Sequence, residues 1–181
     1  VIYDNAYSFQ EGVAGVYKDD KFGFINKKGE TVIPFQYDAG FWFKKGLGIV
    51  KKKTDGSYGN NRIWGLINKE NEFVISFEEG YKFLGFLEEG LISAKKKENR
   101  YGFIDRNGKV VIPFKYYHAD SFKNGMAKVT TPIKCTSMPL TPDLVEGRGI
   151  PDDCENASEP FYIDKRGRCV KDCNNVPKGF K

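Results

Sequence analysis

Four kinds of residue in this chain could do chemistry. Lysines come in two triplets, Lys51-Lys52-Lys53 and Lys95-Lys96-Lys97, with Lys18 in an equivalent place earlier. Set side by side, such bases would make a track for a polyanion. Lysines also protect edge strands against aggregation. That second reading is preferred, because the third equivalent segment, "KVTTP", lacks the triplet and acidic residues are interspersed throughout. The four cysteines, Cys135, Cys154, Cys169 and Cys173, all lie in the last quarter of the chain. An even number clustered in an irregular tail reads as two disulfides formed in an oxidising compartment. Three pairings are open. A zinc site is the rival, but Cys-x3-Cys with its other partners far away matches no strong zinc spacing. The single histidine, His118, has no nucleophile or carboxylate placed beside it by any motif, so no triad or metal cluster is expected. The acidic pairs Glu78-Glu79 and Glu88-Glu89 read as solvated turns. These residues assign no catalysis, no cofactor and no metal.

The elements that would carry these residues repeat. "FGFINKKGETVIPFQYDAGFWFKKGLGIV" from Phe22 and "YGFIDRNGKVVIPFKYYHADSFKNGMAKV" from Tyr101 share length and grammar. "WGLINKENEFVISFEEGYKFLGFLEEGLISA", from Trp64, fits between them after two inserted residues. Self-similarity with a period of roughly 40 residues marks one supersecondary unit stacked on its neighbours. Within the unit, a short β-branched and aromatic run is strand one. A polar turn ending in Gly follows, and "ETVIP" or "KVVIP" is strand two. Its Pro cannot donate to a ladder, so it ends the strand or sits on an edge. An aromatic loop then leads through a second Gly into strand three. Asn26, Asn68, Asp105 and Asp164 share one slot as turn initiators rather than as an acid–base pair. No sustained 3.6-residue period occurs, so helix is confined to a turn in the aromatic loops.

Superposed copies separate core from surface. Tyr3, Tyr37, Tyr81 and Tyr116 share one position, and Phe9, Phe43, Leu87 and Phe122 share another. A type demanded in every copy is expected in the core. The demand disappears nearby: Trp42 matches Ser8, Phe86 and Ser121, and Phe41 matches Tyr7, Gly85 and Asp120. A position that accepts serine is solvated, and a large aromatic there points to partner contact. Phe41, Trp42, Phe86 and Tyr7 are therefore the candidate binding residues. The competing reading folds Trp42 back onto its own or a neighbouring loop.

The pattern [FWY]-G-[FL]-I-[ND]-x-x-G-x-x-V-I-P-x-x-Y…F-x-x-G-[LM]-A-x-V resembles the WG-containing repeat family of bacteria. It covers residues 1 to 130, with a weaker echo at 161 to 171. Only Trp64-Gly65 keeps the literal dipeptide; Phe22 and Tyr101 replace its Trp, Asn71 replaces a turn Gly and Ser76 the Pro. The resemblance implies a repetitive β-protein, secreted, envelope-attached or accessory to other domains, with no catalytic residues to carry over.

The expected fold is all-β: tandem three-stranded antiparallel meanders stacked into a curved, open array with a disulfide-tied C-terminal cap. A closed propeller or barrel is the alternative. One domain spans 1–181: a partial repeat at 1–20, repeats at 21–53, 62–97 and 100–130, an irregular insertion at 131–160 and a degenerate capping repeat at 161–181. A loop as long as this insertion is functional or disordered, and a disulfide from it to the cap would reduce its entropic cost. Net charge is +5, short of the balance of a dedicated nucleic-acid binder. No apolar run reaches the roughly 20 residues of a membrane helix. The start at Val1, without Met, reads as a processed or trimmed chain. The function expected is a non-enzymatic, extracytoplasmic binding or scaffold module with a protein or glycan partner. The alternatives are polyanion binding through the lysines and an enzyme accessory region with a site in the insertion.

Overall fold

A computed structural model describes residues 3–54, 62–96, 99–132, 158–178 and 180. Cys135, Cys154, Lys97 and most of the insertion lie outside them. The described residues form four antiparallel sheets of four strands, each a simple meander. Sheet one holds Asn5–Ala6 (β1), Val13–Lys18 (β2), Lys21–Asn26 (β3) and Thr31–Tyr37 (β4). Sheet two holds Ala39–Lys44 (β5), Leu47–Lys53 (β6), Arg62–Ile67 (β7) and Phe73–Ile75 (β8). Sheet three holds Phe83–Leu84 (β9), Leu91–Lys95 (β10), Tyr101–Asp105 (β11) and Val110–Tyr116 (β12). Sheet four holds His118–Ala119 (β13), Ala127–Thr130 (β14), Phe161–Ile163 (β15) and Cys169–Lys171 (β16).

The meander thus has one strand more than expected, and each sheet straddles two sequence repeats. The extra strand is the first, built from the aromatic loop. It forms because the residues after it make a tight two-residue turn: Glu11-Gly12, Lys45-Gly46, Glu89-Gly90 and Asn124-Gly125 all have positive φ at both positions. That is the type I′ geometry that matches strand twist. The hairpin between the third and fourth strands, at the same end of each sheet, is closed by Asn26, Asn68, Asp105 and Asp164. In each, Oδ1 accepts from the backbone N–H groups two and four residues on. The recurrent carboxylates and amides are turn devices, as their spacing suggests. Among the described residues, helix is limited to short 3-10 turns such as Phe77–Glu79 in the second aromatic loop.

Strand four bends sharply over strand three. Phe22 faces Tyr37 and Phe24 faces Ile33, so Pro34, Phe35 and Gln36 crowd against Gly23 alone. β11 and β12 repeat this register around Gly102. The proline sits on an edge strand, inside a bulge, where its missing N–H costs no ladder bond.

The sheets stack layer on layer around three interlayer cores. Phe22, Phe24, Ile33, Phe43 and Ile67 fill the first, Ile49, Leu66, Leu84 and Ile92 the second, and Phe103, Ile112, Phe122 and Val129 the third. Among the described residues each sheet packs on the next, the arrangement of an open array. Tyr37, Tyr81 and Tyr116 are buried as expected. Phe9 is not: it is 43% exposed, whereas Phe43, Leu87 and Phe122 are buried. Phe43 packs on Phe24 and Phe122 on Phe103, each in the preceding layer; no layer precedes Phe9 among the described residues.

The C-terminal sheet is a cap. Cys169 and Cys173 form a disulfide within it, so neither joins the insertion to the cap. By register from the turn, Cys169 takes the slot of Thr31, Lys171 that of Ile33 and Cys173 that of Phe35. The bond thus clamps the strand-four bend where other copies pack an aromatic. Lys171 and Tyr162 turn outward and pair, Nζ 4.9 Å from the ring centre. A polar outer layer is what a terminal repeat requires.

Candidate aromatic interface

β5 carries one residue too many. Gly40 faces Val50 and Phe43 faces Gly48, leaving Phe41 and Trp42 opposite Ile49 alone. Such a bulge re-aims side chains, and here it displays two adjacent aromatics. Gly40 is demanded by what lies beneath, since a Cβ there would sit 2.1 Å from the Phe22 ring. Trp42 lies between Tyr7 (ring centres 6.4 Å apart, edge-on) and Phe86 (5.2 Å, stacked), with Phe41 edge-on at 5.8 Å. The four candidate residues, drawn from three sheets, therefore meet in one cluster. Trp42 is the most open of them, at 36% exposure. One side of Trp42 packs on neighbouring loops, and the rest faces solvent.

A second line of rings continues from Phe41 through Trp64 (5.8 Å), Phe83 (5.0 Å), Tyr101 (5.7 Å) and His118 (5.3 Å). Trp64, Phe83 and Tyr101, which continue the line of rings, are not among the binding residues expected from sequence. The available signal was the aromatic that opens each "WGLIN" or "YGFID" run, directly opposite a lysine of the preceding strand, in the pairs Lys51–Trp64 and Lys95–Tyr101.

Those pairs revise the lysines. β6 and β10 are inner strands, hydrogen-bonded on both sides, so edge protection is not their role. Lys51 Nζ sits 3.7 Å from the Trp64 ring centre and 4.2 Å from that of Phe41. Lys95 lies over Tyr101, and Lys96 over Tyr81 and Phe114. These are cation–π contacts worth roughly 0.5–2 kcal/mol each. Burial, with Arg62 nearby, pulls the Lys51 pKa down to about 8. Lys52 and Lys53 remain exposed. Around the cluster, Glu88 pairs with Lys44 and with Lys45 (2.9 Å), and Lys44 also lies over Phe86.

Four segments, 1–22, 22–53, 64–99 and 101–131, match the model of the WG containing repeat. The chain belongs to the WG containing repeat family. That family is a repeat module, not a known enzyme family. No curated protein matches the chain.

The WG dipeptide has a double structural role here. Trp64 carries the Lys51 cation, and Gly65 admits strand four, whose Ile75 oxygen lies 3.0 Å from where a Cβ would be. Outside the WG motif, His118 does have a partner, Asp120 Oδ1 at 3.0 Å. Both side chains are exposed, and the ring packs on Tyr101. Among the described residues no group of His, Cys, Asp and Glu is arranged to hold a metal. No described helix is long and apolar enough to cross a membrane.

Proposed function

We propose that this WG-repeat chain is a non-enzymatic binding or scaffold module, a single domain, that meets a protein or glycan partner through Tyr7, Phe41, Trp42 and Phe86. One observation carries the reading: a bulge in β5 displays two aromatics together, and rings from the sheets on either side complete the patch. Clustered aromatics with an open rim are the usual anchor of an interface. The Cys169–Cys173 disulfide favours a secreted or envelope-exposed setting. The polyanion alternative is weakened, because Lys51, Lys95 and Lys96 rest on rings of their own fold.

The test is a pull-down from envelope and culture fluid of the source cell, comparing wild type with the Trp42→Ser, Phe86→Ser double variant at low and high salt. A partner retained at high salt and lost in the double variant supports the aromatic face. A partner lost with salt and indifferent to the substitutions moves the interface to the lysines.

A further inference from the structure

Exposed large apolar side chains are not scattered over this molecule. Besides Phe9 and Trp42 they are Val32, Phe73, Val110, Val111 and Val170, from 39% to 48% exposed. All five occupy the first or second position of a sheet's fourth strand: β4, β8, β12 and β16. The cause is local. Phe24 faces Ile33 while Ile25 faces Thr31, so Val32 is a bulged residue, and Val111 is its counterpart between Val110 and Ile112. A bulge leaves neighbouring side chains on the outside together. The layers stack at this end: a Cβ on Gly108 would lie 3.4 Å from Ile75, and one on Gly167 3.4 Å from Ile112. The fourth strands therefore succeed one another along the array, and their apolar residues form a ribbon.

The hairpin turns beside this ribbon are cationic in the last two sheets. Arg106, Lys109, Lys165, Arg166, Arg168 and Lys171 stand there against Asp105, Asp164, Asp172 and the Glu89 that pairs with Lys165. Asp105 and Asp164 are occupied by turn N–H groups, and Asp164 also by Arg168. Lys109 and Arg166 have no carboxylate partner among the described residues. In the first two sheets Glu30, Glu70 and Glu72 dilute the positive charge.

We propose that this edge, centred on Val110, Val111 and Val170, docks onto an anionic lipid surface. The valines enter the interfacial layer and the flanking bases meet headgroup phosphates. A second copy of the chain would set the same bases against one another. An added peptide strand would meet the bulge and Pro113, neither of which extends a ladder. A soluble polyanion would leave the valines without a role. One or two short apolar residues per layer, spread along a cationic edge, suit a broad amphiphilic surface.

The experiment is sedimentation of the full chain with vesicles of phosphatidylcholine alone and of phosphatidylglycerol and phosphatidylcholine in equal parts. The expected result is binding to the anionic vesicles only, weakening as salt rises. Lys109→Gln and Arg166→Gln should each weaken it roughly fivefold. The triple variant Val110→Ser, Val111→Ser, Val170→Ser alters exposed side chains, should keep the wild-type circular dichroism and urea midpoint, and should bind about tenfold more weakly or worse at the same salt. Trp42→Ser should bind unchanged, which separates this edge from the aromatic face. The proposal is overturned by absence of binding to the anionic vesicles at low salt, by equal binding to both vesicles, or by full binding of the triple valine variant.

Discussion

The carbonyl oxygen of Ile33 occupies the space, 2.7 Å away, where a Cβ on Gly23 would lie. Ile112 does the same to Gly102, also at 2.7 Å. The glycine of the WG motif is therefore set by backbone on the adjacent strand, which cannot rotate away as a side chain can. Gly23→Ala or Gly102→Ala should cost about 1–3 kcal/mol, read as a lower urea midpoint with unchanged slope. Gly65→Ala should cost less, since its nearest backbone oxygen is at 3.0 Å. Gly12→Ala supplies the contrast: it has no neighbour within 4 Å but a φ of +91°, so its loss of about 1 kcal/mol is backbone strain alone.

Much of this fold was legible because the copies comment on each other. The turn glycines, the Asn/Asp slot and the edge proline each recur with one physical cause, and each is found in that role. The first strand of each sheet was not legible, because "AGFWFK" lacks clean alternation. Its bulge puts Phe41 and Trp42 out together and disguises the period of two. The lysine strands were misread as edges, since the extra strand that flanks them was unseen. Phe9 was misread because identity of slot does not supply the neighbouring layer that buries Phe43. Tyr7, Phe41, Trp42 and Phe86 could be grouped from substitution between copies, but their approach across three sheets depends on the stacking, which a repeat period does not specify.

Tyr116 tests how the cap is tied. In other layers the entry tyrosine meets a strand-four phenylalanine: Tyr3 with Phe35, and Tyr81 with Phe114, both at 6.1 Å between ring centres. Sheet four has Cys173 in that slot, and Phe180 from the tail supplies the ring, 5.8 Å from Tyr116. The Cys169–Cys173 bond closes only a short loop, so its entropic contribution is about 2 kcal/mol. Cys169→Ser with Cys173→Ser should lower stability by that amount and leave the tail able to leave Tyr116. Amide hydrogen exchange should then show the tail and β16 losing protection before sheets one to three. Uniform loss across all sheets would contradict a locally acting clamp.

Lys51 predicts an alkaline effect of definite sign. Its folded pKa is lowered to about 8 from 10.5, with burial the larger cause and Arg62 the smaller. Between those values the unfolded chain binds more protons than the folded one, so this group makes stability rise with pH. Above 10 the opposing effect begins, because burial raises the Tyr116 pKa to about 12 and the unfolded chain loses that proton first. Urea midpoints from pH 7 to 10 should therefore climb in wild type. They should stay flatter in Lys51→Met, which keeps the stem packed on Phe41 and Trp64. Fluorescence of Trp64 should change over the same range and lose that change in the variant.

Carboxylates at one end of the array join the layers in a repeated way. Glu11 of sheet one accepts from the N–H groups of Lys45 and Gly46 in sheet two, at 2.6 and 2.9 Å, and Glu89 of sheet three accepts from Gly125 in sheet four, at 2.9 Å. Bases on the hairpin turns reach back the same way: Lys69 Nζ donates to the Glu11 carbonyl, Arg106 to that of Lys45, and Lys165 pairs with Glu89. The Lys44 and Lys45 ammonium groups hold the Glu88 pKa below its ordinary 4.5, and the Gly125 N–H, then Lys165, do so for Glu89. A lowered folded pKa adds stability that is present above the ordinary value and lost as pH falls through it. Acid should therefore loosen the joints between layers before it unfolds a layer. Glu88→Gln with Glu89→Gln should flatten the acid limb of the stability curve and lower its plateau at neutral pH. Glu11→Ala removes two charge-assisted bonds at an exposed joint and should cost about 1 kcal/mol. Hydrogen exchange in β1 and β2 should then accelerate relative to β10 and β11. If sheet one kept its protection in Glu11→Ala, the joint between the first two layers would rest on the Phe22, Phe24 and Phe43 core alone.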